Sequence, residues 1–155
     1  MKQIEVNSEG WVSLLAEIAD NHADGSLIPH DWLRGRFGLE KLNVSDFENT
    51  DDFVRGIQMQ QFSYMTLVDT LRWQLLEEEK MYIRNIRGDG YAVVPACDQT
   101  KYGYDEMFKN IKSAIKDADL IMSNVRAVSV DQQAADNDLR AKYSILKQML
   151  SSIRK

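Results

Sequence analysis

The chain holds one cysteine and two histidines in 155 residues, and each scarcity closes off a class of chemistry. Cys97 alone cannot form an internal disulfide. With only His22 and His30 beside it, no Cys/His set has the spacing of a metal site. Both histidines sit next to a turn or a helix start, where surface or capping roles are expected. Long apolar runs are also lacking: none approaches the ~20 residues needed to span a bilayer. No basic segment followed by an apolar run stands at the N-terminus, so a soluble cytoplasmic protein without a membrane partner is expected. The single glycine-rich loop, Arg87-Gly88-Asp89-Gly90, lacks the strand-to-helix context of a phosphate cradle. Glu77, Glu78 and Glu79 form a solvated charge run, and no nucleophile, base and orienting group come together. The expectation is a protein with no cofactor, no metal and no catalytic residues, and not an enzyme.

What is present is a strand-prone stretch at the end of a long amphipathic segment. In Lys80–Pro95, KMYIRNIRGDGYAVVP, Met81, Ile83 and Ile86 face Tyr91, Val93 and Val94 across a turn whose glycines supply positive φ values. The spacing predicts a two-stranded hairpin over Lys80–Ala96 with Tyr91 largely buried. The run IRNIRGDGYAVV resembles the C-terminal hairpin of OmpR/PhoB-type winged-helix domains, where an Arg-Gly-any-Gly-Tyr run closes the wing. Upstream, LRWQL at Leu71–Leu75 resembles the end of that family's recognition helix. GSLIPHDWLRGRFG at Gly25–Gly38 resembles its positioning helix, and GWVSLLAEIADN at Gly10–Asn21 its first helix. The resemblance covers about residues 10–95 and implies a winged-helix DNA-binding fold. The chain departs from the family in lacking a receiver domain, in having too few residues before Glu9 for the N-terminal sheet, and in an acidic insertion over Leu39–Ile57.

Periodicity predicts helices over Ser8–Asn21, Pro29–Phe37, Asp51–Glu79, Tyr104–Arg126 and Val130–Ile153. The expected fold is mainly α with a small β-hairpin: a winged-helix-like domain over residues 1–97, then a C-terminal helical hairpin or coiled coil over residues 98–155. In that second part Phe108, Ile111, Ile115, Ala118, Met122 and Val125 recur at three- and four-residue steps, and Leu139, Tyr143, Leu146, Leu150 and Ile153 do much the same. Two burials fit such stripes: a hairpin folded back on its own domain, or a homodimer through Phe108, Ile111, Ile115, Met122, Leu139, Leu146 and Leu150.

Charge divides the functional readings. Residues 1–97 carry nine Lys and Arg against sixteen Asp and Glu, a balance of −7; residues 98–155 carry ten against eight, +2. Lys and Arg neutralising phosphates supply most sequence-independent affinity for DNA, and here the part that resembles a DNA reader is acidic. Local cations remain. The resemblance places Arg34 and Arg36 on the second helix and Arg84 and Arg87 in the wing at the DNA backbone. On the third helix Tyr64, Val68, Leu71 and Leu75 define a core face, and the opposite face carries Phe62, Thr66, Asp69 and Trp73. Thr66, Thr70 and Gln74 are candidates for reading bases, whereas Phe62 and Trp73 suit a protein interface. Two functions are therefore expected as alternatives. One is a small transcriptional regulator that binds double-stranded DNA and dimerises through its C-terminal helices. The other is an acidic interaction protein of winged-helix shape that binds or inhibits a protein partner, such as a nucleic-acid-binding protein.

Overall fold

A computed structural model describes residues 3–39 and 41–153. Glu40, inside the acidic insertion, and the two residues at either end lie outside the described residues. The chain is mainly helical with a small antiparallel sheet, and it divides into two units, Met1–Thr100 and Lys101–Lys155.

In the first unit, helix α1 (Glu9–Asn21) starts where Ser8 Oγ accepts from the Trp11 backbone N–H at 3.3 Å, satisfying one of the donors a helix start leaves open. Its Trp11, Leu14, Leu15 and Ile18 share one face and are buried. Strand β1 (Leu27–Pro29) and the short helix α2 (His30–Arg36) follow, and α2 buries Leu33 with Phe37 just beyond its end. A 3-10 turn at Val44–Asp46, held by reciprocal Asn43 and Asp46 bonds, lies within the acidic insertion. Its neighbour Phe47 meets Phe53 edge to face at 5.6 Å. Helix α3 (Thr50–Glu78) is capped by Asn49, whose Oδ1 accepts from the Asp52 N–H at 2.8 Å. It buries Tyr64, Leu67, Val68, Leu71 and Leu75, the face expected from its periodicity with Leu67 added.

Strands β2 (Ile83–Ile86) and β3 (Gly90–Val93) form the expected hairpin, and Tyr91 is buried. The sheet has a third member that periodicity does not reveal. β1 pairs antiparallel with β3, Ile28 opposite Tyr91 and Pro29 opposite Gly90, giving the order β1-β3-β2. Three residues ending in a proline show no alternation, and the partner lies some sixty positions away. Proline is tolerated there because β1 is an edge strand. The core closes as α1, α2 and α3 pack on this sheet, with Trp11 stacked on Phe37 at 6.0 Å between ring centroids.

Helix α4 (Ala96–Ser123) begins eight residues before the expected Tyr104. The Ala96 N–H donates to Asp24 Oδ2 at 3.1 Å, a cap from a distant loop that local sequence does not advertise. Helix α5 is Val130–Ile153. In the second unit α4 and α5 run antiparallel as a hairpin. Tyr143 Oη donates to the Ile115 carbonyl at 3.1 Å and to Asp119 Oδ1 at 2.8 Å, Lys147 Nζ reaches Asp119 Oδ2 at 2.7 Å, and Arg140 bonds the Met122 carbonyl at 2.7 Å. The Lys147 ammonium and the Tyr143 hydroxyl hold the Asp119 carboxyl below the usual carboxylate range.

Candidate interaction surface

The outward side of α3 exposes several large apolar side chains. At about 100° per residue, Met59, Phe62, Met65, Thr66, Asp69 and Trp73 fall on one arc, opposite the buried one. Phe62 is 70% exposed and Trp73 65%, with Met59 and Met65 also in solvent. Aromatics of this size bury large apolar areas in cores and interfaces, and contiguous exposed groups of this kind mark contact surfaces. Met59 and Met65 extend the surface beyond the two aromatics named from the sequence. Their signal was available, since both fall within about 60° of Phe62 on the helical wheel.

The same arc is poor in positive charge. Arg72 is the single cation between Phe62 and Glu79, and it turns inward: its Nη1 lies 3.7 Å from Asp69 and its guanidinium 6.0 Å from the Tyr82 and Tyr91 rings. Thr66 and Thr70 spend their hydroxyls on the Phe62 and Thr66 carbonyls one turn back, at 3.0 and 3.1 Å. Gln74 is built into the fold. Its Oε1 accepts from Trp11 Nε1, and its Nε2 donates to Asn7 Oδ1 at 2.8 Å.

The candidate cations divide into two groups. Arg34 lies over the Tyr64 ring at 4.3 Å and donates to Gln61 Oε1 at 2.6 Å. Arg36 pairs with Glu17 and sits 5.2 Å from the Trp32 ring. Both are folded back on their own domain. Arg84 and Arg87, on β2 and the turn after it, are exposed and have no ion pair to a described residue. Cys97 is exposed near the start of α4, and His22 meets Trp32 edge to face at 5.4 Å.

Beneath this surface His30 Nδ1 lies 2.7 Å from the Tyr64 hydroxyl, and the His30 ring meets the Tyr91 ring edge to face at 5.4 Å. Burial pushes the Tyr64 phenol well above its ordinary value, helped by nearby Tyr91 and opposed by Arg34. Tyr91 is raised by burial too, opposed by Arg72. Both phenols hold their protons more tightly folded than unfolded, so the unfolded chain binds fewer protons once pH passes its own tyrosine range, and stability falls with further rise. Urea midpoints should be flat up to about pH 9.5 and fall above about pH 10, less steeply in Tyr64→Phe. A midpoint that rises over this alkaline range would contradict the burial.

Among the described residues no group of His, Cys, Asp and Glu is placed to hold a metal ion, and no helix is long and apolar enough to cross a membrane. No protein-family model, curated protein sequence or solved structure matches the chain.

Proposed function

We propose that the first unit is a winged-helix-shaped interaction module that binds a protein partner through the outward face of α3. The observation that carries this reading is the pair Phe62 and Trp73, both in solvent on a helix whose two cations, Arg55 and Arg72, each lie 3.7 Å from an aspartate one turn back. A helix that reads base edges presents arginine, lysine, asparagine or glutamine to the major groove. Here the candidate glutamine, Gln74, is bonded to Trp11 and Asn7, and large apolar groups stand in its place. Acids flank the arc, with Asp51 and Asp52 in the first turn of α3 and Glu77, Glu78 and Glu79 at its end. With the net −7 charge of residues 1–97, this favours a partner whose apolar contact is rimmed by Lys and Arg, as on the nucleic-acid-binding face of another protein.

A second reading, the DNA-binding regulator, has its own support. The element order α1-β1-α2-α3-β2-β3 with sheet order β1-β3-β2 fits the winged helix that the resemblance implies, and Arg84 and Arg87 are exposed on the β2–β3 hairpin. One set of proteins separates the two. If α3 is the docking face, Trp73→Ala and Phe62→Ala should each weaken a captured partner by about 30-fold or more, the loss of about 2 kcal/mol typical of an aromatic anchor. Arg84→Ala with Arg87→Ala should change little, and duplex DNA should not bind near physiological salt. The regulator reading requires the parent protein to shift duplexes from a random pool at low salt, and the double arginine variant to flatten the salt slope by up to about one unit per lost phosphate contact. A DNA shift that is lost with the arginines and indifferent to Trp73 would overturn the protein-docking reading.

A further inference from the structure

We propose that the α4–α5 hairpin is half of a four-helix bundle, completed by the same face of a second copy of this chain. Within the second unit Phe108 is the one buried residue among those described, and α5 buries none. The hairpin's internal seam half-covers Ile111, Ile115, Met122, Tyr143 and Leu150. A second seam lies beside it. On α4 it runs Met107, Ile111, Ala114, Ala118, Ile121, Val125; on α5 it runs Ala135, Leu139, Lys142, Leu146, Met149, Ile153. Both have strict four-three steps, the repeat of helices that pack with a slight supercoil. The bonds from Arg140 to Met122 and from Tyr143 to Asp119 fix the register, so Ile121 lies across from Leu139, Ala114 from Leu146 and Met107 from Ile153. Ile121, Val125 and Leu139 line one groove, which puts the two stripes on the same side of the hairpin. Ile121 is 71% exposed and Leu146 54%.

A second copy suits this face because the charges of α5 are self-complementary. Its first half is acidic, with Asp131, Asp136 and Asp138, and its second half basic, with Arg140, Lys142 and Lys147. Lys142 pairs with Asp138 and Lys147 with Asp119 inside the chain, and an antiparallel second α5 still sets the acidic half of one helix against the basic half of the other. A parallel one would set like against like.

Sedimentation of the full chain at about 50 μM, where a dimer of ordinary affinity is populated, should give twice the 17.8 kDa chain mass. Ile121→Lys with Leu146→Lys should halve it while the first unit stays folded. A monomeric parent, or a double variant that remains dimeric, overturns the proposal. If the double variant loses its α4 and α5 helices, cysteine trapping decides. In a Cys97→Ser background, Ala114→Cys on the apolar face should form an interchain disulfide and Asp117→Cys, pointing away from it, should not; trapping at both positions or at neither would overturn the pairing.

Discussion

Trp11→Ala is expected to remove about 3–5 kcal/mol from the stability of the first unit, the range for truncating a fully buried large aromatic. Trp11 has no exposed surface, stacks on Phe37 and lies where α1 meets α3, so little around it can collapse into the space left behind. The loss is more than packing. Trp11 Nε1 donates to Gln74 Oε1, and without it a part-buried amide oxygen loses its donor. Domains of this size have about 5–15 kcal/mol of stability in all, so about a fifth of it or more would be lost. The check is a urea titration followed by far-UV circular dichroism, with the midpoint falling at an unchanged slope. Trp11→Phe should cost less, since it keeps an aromatic against Phe37 and loses chiefly the indole donor. A Trp11→Ala cost below about 1 kcal/mol, the mean for an arbitrary substitution, would mean that α1 is not docked as described.

How much of this is legible in the sequence depends on whether the cause of each feature is local. The α3 core face repeats at three- and four-residue steps from Tyr64 to Leu75, and the helix obeys because those side chains have one place to go. The hairpin is legible for the same reason: its turn glycines and its strands are neighbours in the chain. Strand β1 is not, since Leu27–Pro29 becomes a strand only by pairing with β3. The early start of α4 depends on Asp24, seventy-two positions away. The candidate surface divides along the same line. Phe62 and Trp73 stand outward because the helical period puts them opposite the core. The engagement of Gln74 with Trp11 and Asn7, and of Arg34 with Tyr64 and Gln61, needs elements that only the fold brings together. A polar residue on the flank of a helix looks available in a sequence until its tertiary partners are known.

Gly90→Ala is expected to be nearly as damaging as the loss of Trp11, although it adds a single methyl group. Gly90 lies in the middle strand, paired with Pro29 on one side and Ile86 on the other. Its φ of 156° is one that L side chains rarely adopt, and a Cβ there would stand 2.1 Å from the Ile28 carbonyl oxygen and 2.8 Å from the Pro29 Cα. Both are backbone atoms of β1, so no side chain can swing aside; β1 itself would have to move, taking the start of α2 with it. The backbone conformation alone costs about 1–3 kcal/mol, and displacing β1 from β3 adds to it. Gly88 is the control. It has a φ of 89° but nothing within 4 Å of a Cβ, so Gly88→Ala bears conformational strain without the clash. At about 4–8 °C per kcal/mol for a unit of this size, Gly88→Ala should lower the melting temperature modestly and Gly90→Ala should lower it by more than about 10 °C. Equal losses at the two glycines would show that β1 does not lie against Gly90, and would remove the third strand from the sheet.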